Sequence, residues 1–266
     1  LIFGVRDVVD VTLKDRTTKK PEIYLSNLKM SSFDIGADIV YARGGRGNPK
    51  LITWDGNKDI KFTCEDCLIS PTSLSILTGG TKSTGVRYVS VVEVLEVAVT
   101  SSTPTLTLGE TIYDSDLTTY PLHIFNTTDE SSPGTEQTLG NHAIANQYSR
   151  SGQSVYLNEA WVAGDKFLVS YYKATGATNQ RVIVKSDTFP ETFEISGYTL
   201  WRDEDTGSDY VCRIRIPKAK LVSTFTITQQ PDGDPSTFKF EFEVMKASVS
   251  DTSMVYFDID ETAAES

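Results

Sequence analysis

The chain is poor in the side chains that carry most protein chemistry, with two histidines, three cysteines, three tryptophans and three methionines in 266 residues. His123 and His142 stand far apart and without partners at metal-ligand spacing, which argues against a zinc site. No Gly-x-Ser-x-Gly turn accompanies them, so a Ser-His-Asp site has no scaffold, and both are expected on surface loops. Cys64 and Cys67 enclose two acids, Glu65 and Asp66, which disfavour a reactive thiolate, and Cys212 is remote. Ordinary reduced cysteines are expected, an inter-subunit crosslink through Cys64, Cys67 or Cys212 being the alternative. No stretch approaches the roughly 18 apolar residues of a membrane helix. The first residues, Leu1–Arg6, lack the basic start and apolar run of a secretory signal, so a chain without membrane contact or cleaved leader is expected.

Positive charge is also scarce. Lys and Arg number 25 against 36 Asp and Glu, a formal net charge of −11, and no basic cluster of any length occurs. Tight binding to duplex nucleic acid needs such clusters to offset phosphate charge. An acidic surface instead suits a protein that lies beside DNA and keeps it from sticking.

The remaining constellations are weak. Paired carboxylates with aromatic platforms suggest glycosidase chemistry, yet the acids fall on polar strand faces and in turns such as Asp203-Glu204-Asp205, while Trp54, Trp161 and Trp201 are scattered. Arg43-Gly44-Gly45-Arg46-Gly47 lacks the phosphate-loop pattern and opens no helix. Asp232-Gly233-Asp234 lacks the alternating ligands of a calcium loop. Asn126-Thr127-Thr128 fits a glycosylation sequon that matters only on secretion. No catalytic residue, cofactor or metal is expected.

What the chain does have is alternation with period two, the mark of β structure. Strands are expected at Val5–Lys14, Ile23–Leu25, Ile39–Ala42, Leu51–Trp54, Ile60–Cys64, Val86–Val99, Thr105–Leu108, Ser154–Leu157, Lys166–Tyr172 and Arg181–Val184. Further ones follow at Glu191–Trp201, Asp209–Ile216, Phe225–Thr228, Phe238–Val244 and Val255–Ile259. Asp55-Gly56-Asn57 reads as a hairpin turn, and Gln230–Pro235 as another. Residues 109–154 look irregular, and Asp260–Ser266 is expected to fray. Ser70–Leu77 is the single helix, with Ser70 as cap, Pro71 in the first turn and Gly79-Gly80 as the stop. Phe238, Phe240, Phe242 and Val244 share one face of their strand, opposite Lys239, Glu241 and Glu243. The fold class is mainly β.

Two blocks together carry a resemblance. One runs from the glycine-rich loop at Arg43 through Pro49-Lys50-Leu51-Ile52-Thr53-Trp54-Asp55-Gly56 and Ile60–Cys64 to the helix ending at Gly79. The other contains Phe193-Glu194-Ile195-Ser196-Gly197-Tyr198, the acidic turn ending in Thr206-Gly207, Cys212–Leu221, and Gly233-Asp234-Pro235-Ser236 before the Phe-rich strand. This resembles the tail tube proteins of long-tailed bacteriophages, over roughly the first and last thirds of the chain. The resemblance implies a β-sandwich or barrel subunit with one short helix, assembled as stacked homohexameric rings into an acidic conduit that DNA traverses without specific binding. It implies a virion protein, made in the host cytoplasm, that meets tail sheath or terminator and baseplate proteins. Residues 1–80 and 177–266 then form the tube-like domain and 81–176 an inserted β-rich segment.

Subunit contacts are expected at Arg43, Gly44, Gly45, Arg46 and Gly47, where glycines permit close approach and the arginines meet acids of a neighbouring copy. Leu74 and Leu77 of the helix are expected there too, and Glu241 and Glu243 are the candidates for the channel lining. A capsid decoration protein, another virion accessory β protein or a carbohydrate-binding β module would share this composition.

Overall fold

The structure is a computed structural model that describes residues 2–127, 132–222, 226–227 and 237–263. In chain order its elements begin β1 (Phe3–Val5), β2 (Asp10–Asp15), β3 (Pro21–Leu25), β4 (Leu28–Arg43), β5 (Lys50–Asp66), α1 (Pro71–Thr78) and β6 (Thr81–Thr84). There follow β7 (Tyr88–Glu96), β8 (Ala98–Thr100), β9 (Thr103–Thr107), β10 (His123–Thr127), β11 (Glu136–Leu139), β12 (Gln147–Ser151), β13 (Ser154–Tyr156) and β14 (Lys166–Ala174). The last are β15 (Gln180–Ile183), β16 (Thr192–Asp203), β17 (Asp209–Leu221), β18 (Phe238–Val244) and β19 (Tyr256–Ala263). The fold is mainly β, its sheets curled into half-barrel form, with one helix among the described residues. Apart from Thr226 and Ile227, which lie outside any strand, the expected strand Phe225–Thr228 and the Gln230–Pro235 turn lie outside the described residues. Two compact units form, Leu1–Lys82 with Arg181–Ser266, and Ser83–Gln180.

The first unit holds a sheet in the order β3-β2-β16-β17-β18-β5-β4, with β1 added to β16 and β19 to β17. Its end strands, β3 and β4, are joined by Ser26 and Asn27 alone, a link that spans at most about 11 Å. A flat sheet would hold these strands six positions apart, so the sheet must curl, and the Val9 N–H donates to Ser31 Oγ at 3.1 Å near that closure. Inside lies a core of Val11, Leu13, Phe62, Cys64, Ile195, Cys212, Ile216, Phe240 and Phe242, each no more than 2 % exposed. β17 changes partner along its length, from β19 (Arg215 opposite Tyr256) to β18 (Ala219 opposite Val244). Pro217 sits at that changeover, where its missing N–H breaks no ladder.

The helix forms where its caps require. Ser70 Oγ accepts the Ser73 N–H at 3.0 Å and Ser73 Oγ accepts the Ser70 N–H at 2.7 Å, a reciprocal box. Gly79 ends it at φ 65°, the left-handed conformation that glycine tolerates. Ile76 and Leu77 reach into the core.

The second unit is an eight-stranded assembly in the order β7-β14-β10-β11-β12-β13-β9-β8. β7 and β8 are separated by Val97 alone, so one run of chain supplies both ends of the order. Its core gathers Leu106, Ile124, Val155, Leu157, Phe167, Val169 and Tyr171, all fully buried. Glu93 closes the polar end of that core, accepting the Tyr171 hydroxyl and the Gly109 N–H, each at 3.0 Å. Burial and the neighbouring Glu93 and Glu110 carboxylates push the Tyr171 hydroxyl pKa up to about 12.

Several expectations are corrected. Val5–Lys14 is two strands. Residues 109–154 contain β10, β11 and β12, and His123 opens β10 and lies in no loop. β19 runs to Ala263, so the tail is ordered into the sheet further than expected. The largest correction concerns Asp55-Gly56-Asn57. It is no turn, because β5 continues through it for 17 residues, paired throughout with the 16-residue β4.

Candidate assembly surfaces

β18 supports β5 only from Lys61 to Asp66. Beyond Lys61, β4 and β5 have only each other among the described residues, and they project as a two-stranded arm. Some ten residues per strand make it about 30 Å long. Its register shifts where Ala37 faces Lys58 but Ile39 faces Asp55, leaving Asp38 against both Gly56 and Asn57. That is a β-bulge. A Cβ on Gly56 would lie 3.2 Å from Asp38 Cβ and 3.3 Å from its carbonyl oxygen, so the glycine permits the close approach.

The arm is exposed on both faces. Ile35, Ile39, Val40, Leu51, Ile52 and Trp54 are between 49 % and 63 % exposed. Val40 faces Trp54 and Ala42 faces Ile52 on one side, while Ile39 and Tyr41 lie on the other. A two-stranded ribbon alone in water is marginal, and this one leaves six large apolar side chains exposed.

Arg43–Pro49 forms the tip. The Gly44 N–H donates to the Pro49 carbonyl at 3.3 Å and the Asn48 N–H to the Gly45 carbonyl at 3.1 Å. Gly45 and Gly47 adopt φ of 81° and 89°. Lys50 Nζ sits 3.7 Å and Arg43 Cζ 5.5 Å from the centroid of the Tyr41 ring, a cation–π pair that holds both charges at the tip. Arg46 stands exposed.

The other expected contact residues lie elsewhere. Leu74 is half-buried on α1, whereas Leu77 is 2 % exposed and belongs to the core of its own unit. On β18, Phe238, Phe240, Phe242 and Val244 are all buried, as the alternation requires. On the opposite face Glu241 pairs with Lys239 at 3.1 Å, and the exposed Glu243 lies in register between Lys61 and Lys220. That face therefore carries alternating charges rather than a run of acids.

A cleft of about 830 Å³ opens along β1, between residues 2–7 and the hairpin turn linking β16 to β17. Asp203 shapes the turn, its Oδ2 accepting the Thr206 hydroxyl at 2.8 Å and the Thr206 N–H at 3.2 Å, bonds that hold its carboxyl below the usual range. Arg202 grips Asp209 in two bonds of 2.7 and 2.8 Å. Nothing local marked this cleft in the sequence, because it joins segments about two hundred positions apart.

Cys64 and Cys212 are buried and Cys67 is exposed, all three free, and burial followed by the nearby Asp66 and Glu65 pushes the Cys64 thiol pKa up to about 12. His123 pairs with Glu136 at 2.7 Å, and His142 Nδ1 lies 2.8 Å from Ser149 Oγ. No group of three or more His, Cys, Asp or Glu among the described residues is placed to hold a metal. Of the tryptophans, Trp161 packs edge-on against Phe167 and Trp201 against the core of its unit, leaving Trp54 on the arm as the one that is largely exposed. No helix among the described residues is long and apolar enough to cross a membrane.

Residues 3–259 match the model of the YomU/Tube protein family. No curated protein matches the chain. With nearly its whole length matched, the chain belongs to the YomU/Tube protein family.

Proposed function

We propose that this member of the YomU/Tube family is the tube subunit of a phage tail, a virion structural protein without turnover chemistry, which assembles as stacked hexameric rings around a channel for DNA. The observation that carries the reading is the β4–β5 arm. An exposed apolar ribbon is a hazard to a monomer and becomes a joint when a second copy covers it. The family assignment and the curled half-barrel sheet support the same conclusion.

In this reading the arm tip with Arg43, Gly44, Gly45, Arg46 and Gly47, and the exposed side of α1 with Leu74, meet neighbouring subunits. The outer face of β18, with Glu241 and Glu243, lines the channel. Interleaved lysines make that wall hydrophilic without a strong net field, and the chain's overall charge of −11 disfavours lasting contact with phosphate. DNA passes without specific binding. The ends of the tube meet a terminator and a baseplate, and its outside meets a sheath where the tail has one.

Electron microscopy of the purified protein tests this. Tubes or six-fold rings, with Glu241 and Glu243 on the inner wall of a reconstruction, are expected. Discrete monomers would point to a carbohydrate-binding module, trimers to a capsid decoration protein, and either result would overturn the proposal.

A further inference from the structure

We propose that the tip of the β4–β5 arm of one copy seats in the cleft along β1 of its neighbour within the same ring. The contact rests on the tube reading above and names the partner of each surface: a second copy of this chain.

Charge complementarity is the first argument. The tip carries Arg43, Arg46 and Lys50, and no acid lies between positions 43 and 50. At the cleft, Arg202 is spent on Asp209, which leaves Asp7 and Glu204 exposed on its walls beside Asp205 of the same turn, with Arg6 the other basic side chain among the described lining residues. Arginine forks suit such carboxylates, with two parallel bonds to each.

Apolar surface is the second. Ile2 and Val5 at the cleft are 65 % and 62 % exposed, and Ile52 and Trp54, just behind the tip, are 54 % and 51 % exposed. Among the described residues β1 pairs with β16 on one side only, so its other edge offers backbone groups to an arriving strand. The glycines keep the tip slender, with nothing within 4 Å of a Cβ placed on Gly45 or Gly47.

Strand direction is the third. β5 and β17 both pair antiparallel with β18, so they run the same way. The arm tip precedes β5 and the 203–208 turn precedes β17, which sets both at the same end of the ladder. A contact joining like ends of two copies is side by side. Because tip and cleft are different surfaces, it is also heterologous, the kind that closes into a ring.

The test is a charge exchange in the full chain. Arg43→Glu with Arg46→Glu, and separately Glu204→Lys with Asp205→Lys, should each raise the critical concentration for assembly at least tenfold. The four substitutions together should restore it to within about threefold of wild type. All sites are exposed, and unchanged melting of the variants checks that the fold survives. In a Cys67→Ser background, Arg46→Cys and Asp205→Cys chains should form a disulfide between copies when mixed. Variants that assemble like wild type, a combined set no better than the worse pair, or no 46–205 crosslink in formed tubes would overturn the contact alone. A wild-type chain that stays monomeric would overturn both the contact and the tube reading.

Discussion

Glu194 shows how a single acid is used in this acidic chain. It lies on β16 at 5 % exposure, where burial pushes its pKa upward. Lys19 Nζ at 2.6 Å and Arg215 Nε at 3.4 Å outweigh that penalty, and the carboxyl ends below the ordinary glutamate range. A depressed folded-state pKa means stability that is fully present above the unfolded value, about 4.3, and lost as pH falls through the folded one. Replacing Glu194 by Gln removes two charged hydrogen bonds, while Lys19 and Arg215, both more than half exposed, rehydrate. The expected loss at neutral pH is about 1.5–3 kcal/mol. Denaturant unfolding of the unassembled chain at stepped pH should show the gap between variant and wild type closing below about pH 4. A gap that is constant with pH would mean packing, not charge, is what Glu194 supplies.

At the scale of the element, β18 gives the cleanest contrast. Phe240 is fully buried in the core, opposite Cys64 of β5, and its neighbour Lys239 projects outward to pair with Glu241. Phe240→Ala should cost about 3–5 kcal/mol, and Lys239→Ala no more than about 1 kcal/mol, the worth of an exposed ion pair. Chemical denaturation of both variants measures the difference, and similar losses would contradict the buried face. This strand was legible in the sequence because its alternation is complete. The helix was legible because Ser70, Pro71 and Gly79 are local signals. β4 was mostly hidden, since Ser31, Ser32, Gly36 and Ala37 blur its pattern, and it is a strand because β5 lies against it. Asp55-Gly56-Asn57 has the chemistry of a turn and of a bulge alike; only the approach of Asp38, seventeen or more positions away, decides between them. β10 escaped notice for the same reason, its register being set by β14, about forty positions downstream, while β11 and β12 are short strands that pair with each other and with β10 and β13. Of the assembly surfaces, the glycine-rich tip could be read from composition, but the arm behind it and the cleft exist only through pairings distant in sequence.

At the scale of the molecule, the described residues form two cores that share no residue. The second, within Ser83–Gln180, is continuous in sequence and lies between the two segments of the first. Its ends are tied to each other, the Gly85 N–H donating to the Asn179 carbonyl at 3.0 Å and the Thr175 N–H to the Arg87 carbonyl at 2.8 Å. The Arg87 N–H adds a bond to Thr175 Oγ1 at 3.0 Å. A segment with its own buried aromatics and tied ends satisfies the requirements of an independent folding unit. Ser83–Gln180 produced alone should therefore unfold in one cooperative transition, with an enthalpy of roughly 60–80 kcal/mol for a domain near 100 residues. The β6–β15 ribbon pairs the chain where it leaves and re-enters the first unit, so a short turn in place of Gly85–Asn179 should leave the curled sheet, the arm and the β1 cleft intact. Calorimetry of the fragment and electron microscopy of the shortened chain test the two halves of this argument. A fragment without a cooperative transition would show that its core depends on the first unit. Loss of tubes by a shortened chain that still melts cooperatively would show that the second unit takes part in assembly, as a joint between subunits and not as an appendage to them.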